Sequence, residues 1–117
     1  MNARMVACDA LVRKIVRARS GGRCERCHVI CEVETAHIIR RAYQRTRCDT
    51  TNVRGLCPNC HRAQHRFEWE WPELIGADEH MRLFTLANDP TWKRPHGWWT
   101  EVAAVLRVEL ATLEEHK

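Results

Sequence analysis

Apolar residues recur at helical spacing at both ends of this chain and at strand spacing between them. Near the N-terminus Leu11, Val12, Ile15 and Val16 share one face, while Arg13, Lys14 and Arg17 share the other. That pattern predicts a helix from a cap at Asp9 to about Arg19, stopped by Gly21-Gly22. Glu32 to Ile39 is rich in β-branched residues and reads as a strand. Arg40 to Thr51 is polar and shows no period, so it reads as a loop. Asn52 to Leu56 is a second short strand, and Pro58 suits the first turn of a helix running to about Glu68. Two further helices are expected near Asp78–Asn88 and Thr100–Glu115, separated by a proline- and glycine-bearing linker over Asp89–Gly97. Val102, Val105, Leu106, Leu110 and Leu113 form the stripe of the last helix. The fold class is therefore α+β: a strand–loop–strand–helix core flanked by N- and C-terminal helices.

At 117 residues the chain is one small domain with a modest core. A basic core over 1–68 carries a helical, tryptophan-rich, acidic extension over 69–117, expected to pack on it. The net charge of +4 hides the asymmetry: residues 1–66 carry 14 Arg and Lys against five Asp and Glu, and residues 67–117 carry five against ten. A surplus of arginine in one half suggests a polyanion partner there. No apolar run is long enough to span a membrane.

Seven cysteines change the picture. Two Cys-x-x-Cys knuckles, Cys24/Cys27 and Cys57/Cys60, stand 29 residues apart. Two thiolate pairs at this spacing can complete a tetrahedral shell around one structural Zn²⁺. Disulfides are the competing reading, but the odd count argues against them, and no secretory leader is expected because Arg4, Arg13 and Lys14 interrupt any apolar run. A reducing cytoplasm, of a bacterium or a phage-infected cell, is the expected setting. Cys8, Cys31 and Cys48 are left over as ordinary thiols.

A second pattern lies inside the first. His37 is followed after 14 residues by Asn52, after eight more by His61, and four positions later by His65. His61 and His65 fall one turn apart on one helix face and can share a divalent ion. A neutral His37 on the strand can take a proton from attacking water, and the Asn52 carbonyl can hold its other N–H. Metal, base and orienting amide are the parts that phosphodiester hydrolysis needs.

Taken together, CERC, AHII, the Asn before LCPNCH and the trailing His65 resemble the HNH endonucleases, whose fold is the ββα-metal (His-Me) finger; the similarity runs from about Leu11 to Phe67. It implies that His37 is the general base, that Asn52 positions it, that His61 and His65 hold a catalytic Mg²⁺, Mn²⁺ or other divalent ion, and that the four knuckle cysteines hold structural zinc. HIIRR, RTRCDTTN and the tryptophan-rich tail are similar to small phage-borne members. In one respect the chain departs from the family: many members carry Asp or His directly before the base, where this chain has Ala36. Glu34 or Asp49 is the candidate replacement ligand, with Glu34 favoured because it shares a strand face with Ala36.

Arg40, Arg41, Arg45 and Arg47 in the loop, with Arg13, Lys14 and Arg17 on the helix, are the expected DNA contacts. Trp69, Trp71, Trp92, Trp98 and Trp99 are read mainly as core anchors. Three classes of function stay open: a metal-dependent DNA endonuclease, a catalytically dead zinc-stabilised DNA-binding module, and a zinc scaffold that binds protein through its acidic half. Monomer and homodimer are both open.

Overall fold

The computed structural model describes residues 2–66 and 70–116. Helix α1 spans Ala3–Ser20 and is capped by Asn2, whose side chain accepts from the Arg4 N–H. Asp9, expected as the cap, lies mid-helix instead. The buried stripe continues N-terminally through Cys8, so the helix starts well before Leu11; Cys8, Val12, Ile15 and Val16 are all buried. Gly21 ends the helix in the left-handed conformation, at φ 62°.

Strands β1 (Glu34–His37) and β2 (Val53–Leu56) pair antiparallel, His37 opposite Val53 and Glu34 opposite Leu56. β1 is shorter than its β-branched run, because only its middle finds a partner. The intervening segment is more ordered than its polar sequence suggests. It holds a helical turn, α2 (Gln44–Arg47), and a 3₁₀ turn at Thr50–Asn52. Helix α3 follows at Pro58–Arg66, then α4 (Trp71–Ile75), α5 (Ala77–Ala87) and α6 (Trp98–Glu115). The expected continuation of α3 to Glu68, and Trp69, lie outside the described residues. The short α4 was not expected; the expected linker over Asp89–Gly97 is not helical.

The sheet separates two apolar clusters. On one side α1 packs against α6, joining Val12, Ile15 and Val16 to Trp99, Ala103 and Leu106, with Val33 and Val53 beneath. Gly55 allows this approach, since a Cβ there would meet Val33 Cγ2 at 2.9 Å and Val16 Cγ1 at 3.0 Å. On the other side Ala36, Ile38 and Leu56 pack with the knuckle cysteines and with Trp71 and Leu83 of the extension. Trp71 and Trp99 are core anchors as expected, and Trp92 and Trp98 meet edge to face. Val105, placed in the buried stripe by its period, is 67% exposed; Ala103 takes the inward position. Among the described residues no helix is long and apolar enough to cross a membrane.

Candidate metal and phosphodiester site

A tight turn carries the first knuckle, and the first turn of α3 carries the second. Cys24, Cys27, Cys57 and Cys60 offer four Sγ atoms within 4.8 Å of one another. The Cys27 and Cys57 sulfurs are 3.8 Å apart, far beyond a disulfide bond. A tetrahedron with Zn–S bonds of about 2.3 Å has edges of about 3.8 Å, so the Cys27–Cys57 pair already has the spacing of a zinc shell and all four sulfurs lie within reach of one ion. The Cys27 and Cys60 N–H groups point at the Cys24 and Cys57 sulfurs, at 3.5 and 3.4 Å. Burial raises the Cys24 thiol, but the backbone N–H groups of Cys27, Cys57 and Arg26 outweigh it and bring it down to about 6. Cys24 is thus disposed to be a thiolate, as a zinc shell requires, while burial and the neighbouring Cys57 and Cys27 sulfurs push the Cys60 thiol up to about 12. Cys31 stays outside the cluster, while Cys8 and Cys48 belong to the α1–α6 core.

The second site is built on β1 and α3. His61 and His65 sit one turn apart, with their Nε2 atoms 3.2 Å apart. Two nitrogens bound at about 2.1 Å to one ion lie about 3.0 Å apart at a right angle and about 3.4 Å apart at the tetrahedral angle. The pair therefore fits one divalent ion. His61 donates its Nδ1–H to Glu34 Oε1 at 3.0 Å, which turns the Nε2 lone pair outward. Glu34 thus serves His61. Asp49, the other candidate beside Ala36, is used locally: its Oδ1 caps the Thr51 N–H. Ala36 is fully buried in the apolar cluster and brings no ligand.

His37 is held in one tautomer. Its Nε2 lies 3.0 Å from the Arg47 carbonyl oxygen, which can only accept, so Nε2 carries the proton and Nδ1 the lone pair. Burial lowers the His37 pKa; the Arg47 carbonyl and Asp9 pull it up and the Arg41 and Arg47 charges push it down, with a net shift downward that keeps the ring neutral near pH 7. Asn52 was expected to hold His37 itself, but it does not touch it. It is fully buried, accepts from the Ile39 N–H at 2.8 Å, and donates to the Ile39 and Thr46 carbonyls at 3.1 and 3.0 Å. Asn52 pins the two ends of the 39–52 segment, and that segment presents the Arg47 carbonyl.

Arg47 is likewise tied down. Its Nε and Nη2 donate to both oxygens of Asp9, at 3.0 and 2.7 Å, and its Nη1 donates to the Arg41 carbonyl. Arg45 pairs with Asp89 and lies over the Trp92 ring. Both were expected as DNA contacts, and in the folded chain both are engaged in ion pairs. Arg13, Arg40 and Arg41 are exposed and line a cleft of about 970 Å³ together with His37 and His61; Arg17 lines it too, but pairs with Glu32 at 3.2 Å. Lys14 is exposed but does not line the cleft. Asp9 was read only as a cap, and its second role gave no sequence signal, because α1 and α2 meet only in the folded chain. Gln64, buried between His61 and His65 on α3, also lines the cleft, and its Oε1 has no hydrogen-bond partner among the described residues.

Comparison with protein-family models, curated proteins and solved structures gives no match. The chemistry of the two sites is therefore the ground for a functional reading.

Proposed function

We propose that the protein is a divalent-metal-dependent endonuclease of the HNH type that hydrolyses DNA phosphodiester bonds, with β1, β2 and α3 as its ββα-metal finger. One observation carries this reading. A tautomer-fixed neutral histidine shares an arginine-lined cleft with two imidazole nitrogens 3.2 Å apart. His61 and His65 would hold the catalytic ion, which would supply Lewis-acid stabilisation of the charge that develops on the phosphate and the leaving oxygen.

The residues divide the remaining work. Arg13, Arg40 and Arg41 draw the DNA backbone into the cleft and hold it by phosphate contacts. The Nδ1 lone pair of His37 takes a proton from water as that water attacks phosphorus; the P–O bond to the leaving oxygen breaks, and that oxygen takes a proton from solvent. The Arg47 carbonyl stabilises the resulting imidazolium by accepting its Nε2–H, and Asp9 keeps Arg47 in place. Glu34 orients His61, and Asn52 is a positioning residue that acts through the 39–52 segment. The zinc cluster is a structural clip with a closed thiolate shell and takes no part in the chemistry.

A second reading is a DNA-binding module without catalysis, and Ala36 favours it, because it leaves no ligand beside His37. Plasmid nicking separates the two. Supercoiled plasmid is incubated with protein and Mg²⁺ or Mn²⁺, with a chelator control. Nicked product that depends on the added ion supports the nuclease. Salt-dependent DNA binding with no nicking under either ion supports the module.

A further inference from the structure

The first knuckle carries an apolar tip that neither the fold nor the proposed chemistry uses. Val29 is 50% exposed and Ile30 74% exposed, at the turn between Cys24 and Cys31. The turn is rigid. Cys24 N–H donates to the Val29 carbonyl at 3.0 Å, Cys31 N–H to the Gly22 carbonyl at 2.9 Å, and His28 N–H to the Cys24 carbonyl at 2.9 Å. Arg23 and Ile30 form a β-bridge, and His28 holds the tip in a left-handed conformation at φ 66°.

The charge around the tip is positive where it is free. Glu25 turns inward to Arg19 and the Gly55 N–H. Glu32 pairs with Arg17, and Arg26 with Glu70. Arg23 has no carboxylate partner among the described residues and donates only to the His28 carbonyl, at 3.3 Å. The segment then continues through Cys31 and Glu32 into the wall of the cleft that holds His37 and His61.

Two β-branched side chains on a pre-ordered, cation-flanked tip beside a DNA-binding cleft match the design of an apolar wedge. Such wedges enter between base steps, unstack them and kink the helix. We infer that Val29 and Ile30 form a wedge that enters unstacked or easily unstacked DNA next to the scissile phosphate, so that the protein acts preferentially on deformed DNA such as mismatched, bulged or branched substrates. The inference rests on the DNA reading of the cleft. Rigidity supports it, because the tip loses little conformational freedom on insertion.

The test uses the full chain and two duplexes of equal length, one intact and one with a two-base bulge, each carrying 2-aminopurine at the central step. The wild type should bind the bulged duplex more tightly and raise 2-aminopurine fluorescence, which reports unstacking. Val29→Ser/Ile30→Ser should lose the fluorescence rise and bind the bulge about tenfold more weakly, the factor expected when two apolar side chains no longer bury against bases. Its affinity for intact duplex should stay within about twofold, since the phosphate contacts are kept. Arg40→Ala/Arg41→Ala should weaken both duplexes alike. An unchanged bulge preference and fluorescence rise in the serine variant would overturn the wedge while leaving DNA binding standing. A wild type that binds neither duplex at any salt concentration overturns the wedge and the DNA reading together. Both tip residues are exposed, so folding of the variant is checked directly by its zinc content and circular dichroism.

Discussion

Replacing Asn52 should do two kinds of damage that can be told apart. The side chain makes three hydrogen bonds in a fully buried position. In Asn52→Ala, Ile39 loses the side-chain partner of both its N–H and its carbonyl. The Thr46 carbonyl keeps the Asp49 N–H at 3.2 Å and is only partly stranded. Each buried backbone group left unpaired costs about 1–3 kcal/mol, so the loss should be about 3–5 kcal/mol. That is a large share of the roughly 5–15 kcal/mol by which a domain is stable. Asn52→Asp is nearly isosteric but should be no better at pH 8. One carboxylate oxygen still accepts from Ile39, while the other faces two carbonyl oxygens. That environment raises the carboxyl pKa in the folded state above its unfolded value. Stability linked to a raised pKa is lost as pH rises through the folded value and regained as pH falls. The Asp deficit should therefore shrink between pH 8 and pH 5, while the Ala deficit stays flat. Urea unfolding followed by the fluorescence of buried Trp71 and Trp99, with zinc saturating, measures both. A cost below about 1 kcal/mol for Ala, or a wild-type stability for Asp at pH 8, would refute the claim that Asn52 clamps the segment carrying the Arg47 carbonyl.

Other consequences follow from the two sites. Cys57→Ser should release about one zinc per chain and unfold the first half, since structural zinc contributes roughly 10–16 kcal/mol in small finger domains; metal analysis and circular dichroism check it. Because burial lowers the His37 pKa, the acid limb of the nicking rate should have its midpoint below the ordinary histidine value of 6.5, with a plateau above it; a midpoint at pH 7 or higher would contradict a neutral, buried base. Arg13→Ala/Arg40→Ala/Arg41→Ala should reduce the slope of log affinity against log salt by about 0.9 for each phosphate that is no longer neutralised, whereas an unchanged slope puts the DNA path elsewhere.

What could be read from the sequence was local. Cys24, Cys27, Cys57 and Cys60 sit in short turns whose spacing fixes the bite, so the cluster was foreseeable. The i, i+4 spacing of His61 and His65 placed them on one face for the same reason. The stripes of α1 and α6 gave both helices and their C-terminal ends, but not the start of α1 or the inward Ala103, because an Asn2 cap and an alanine carry weaker signals than Asp9 and Val105. The partners of His37 and Asn52 could not be read at all. His37 bonds a backbone carbonyl, and any residue at position 47 offers one. Asn52 bonds backbone groups six and 13 residues away, and these face it only once the 39–52 segment folds back. Arginine composition marked the basic half, but only the folded chain shows which of its charges are already paired: Arg17, Arg19, Arg26, Arg45 and Arg47 each meet a carboxylate.

The central claim is that His37 and the His61/His65 pair do different jobs in one cleft. It is tested most directly by measuring Mn²⁺ binding by calorimetry and plasmid nicking on the same zinc-loaded samples of wild type, His37→Ala and His61→Ala. The account predicts that His37→Ala binds Mn²⁺ like the wild type yet nicks about 10²–10⁴-fold more slowly, the span that a general base supplies. His61→Ala should lose both Mn²⁺ binding and nicking. Full nicking by His37→Ala, or Mn²⁺ binding that survives in His61→Ala, would contradict it.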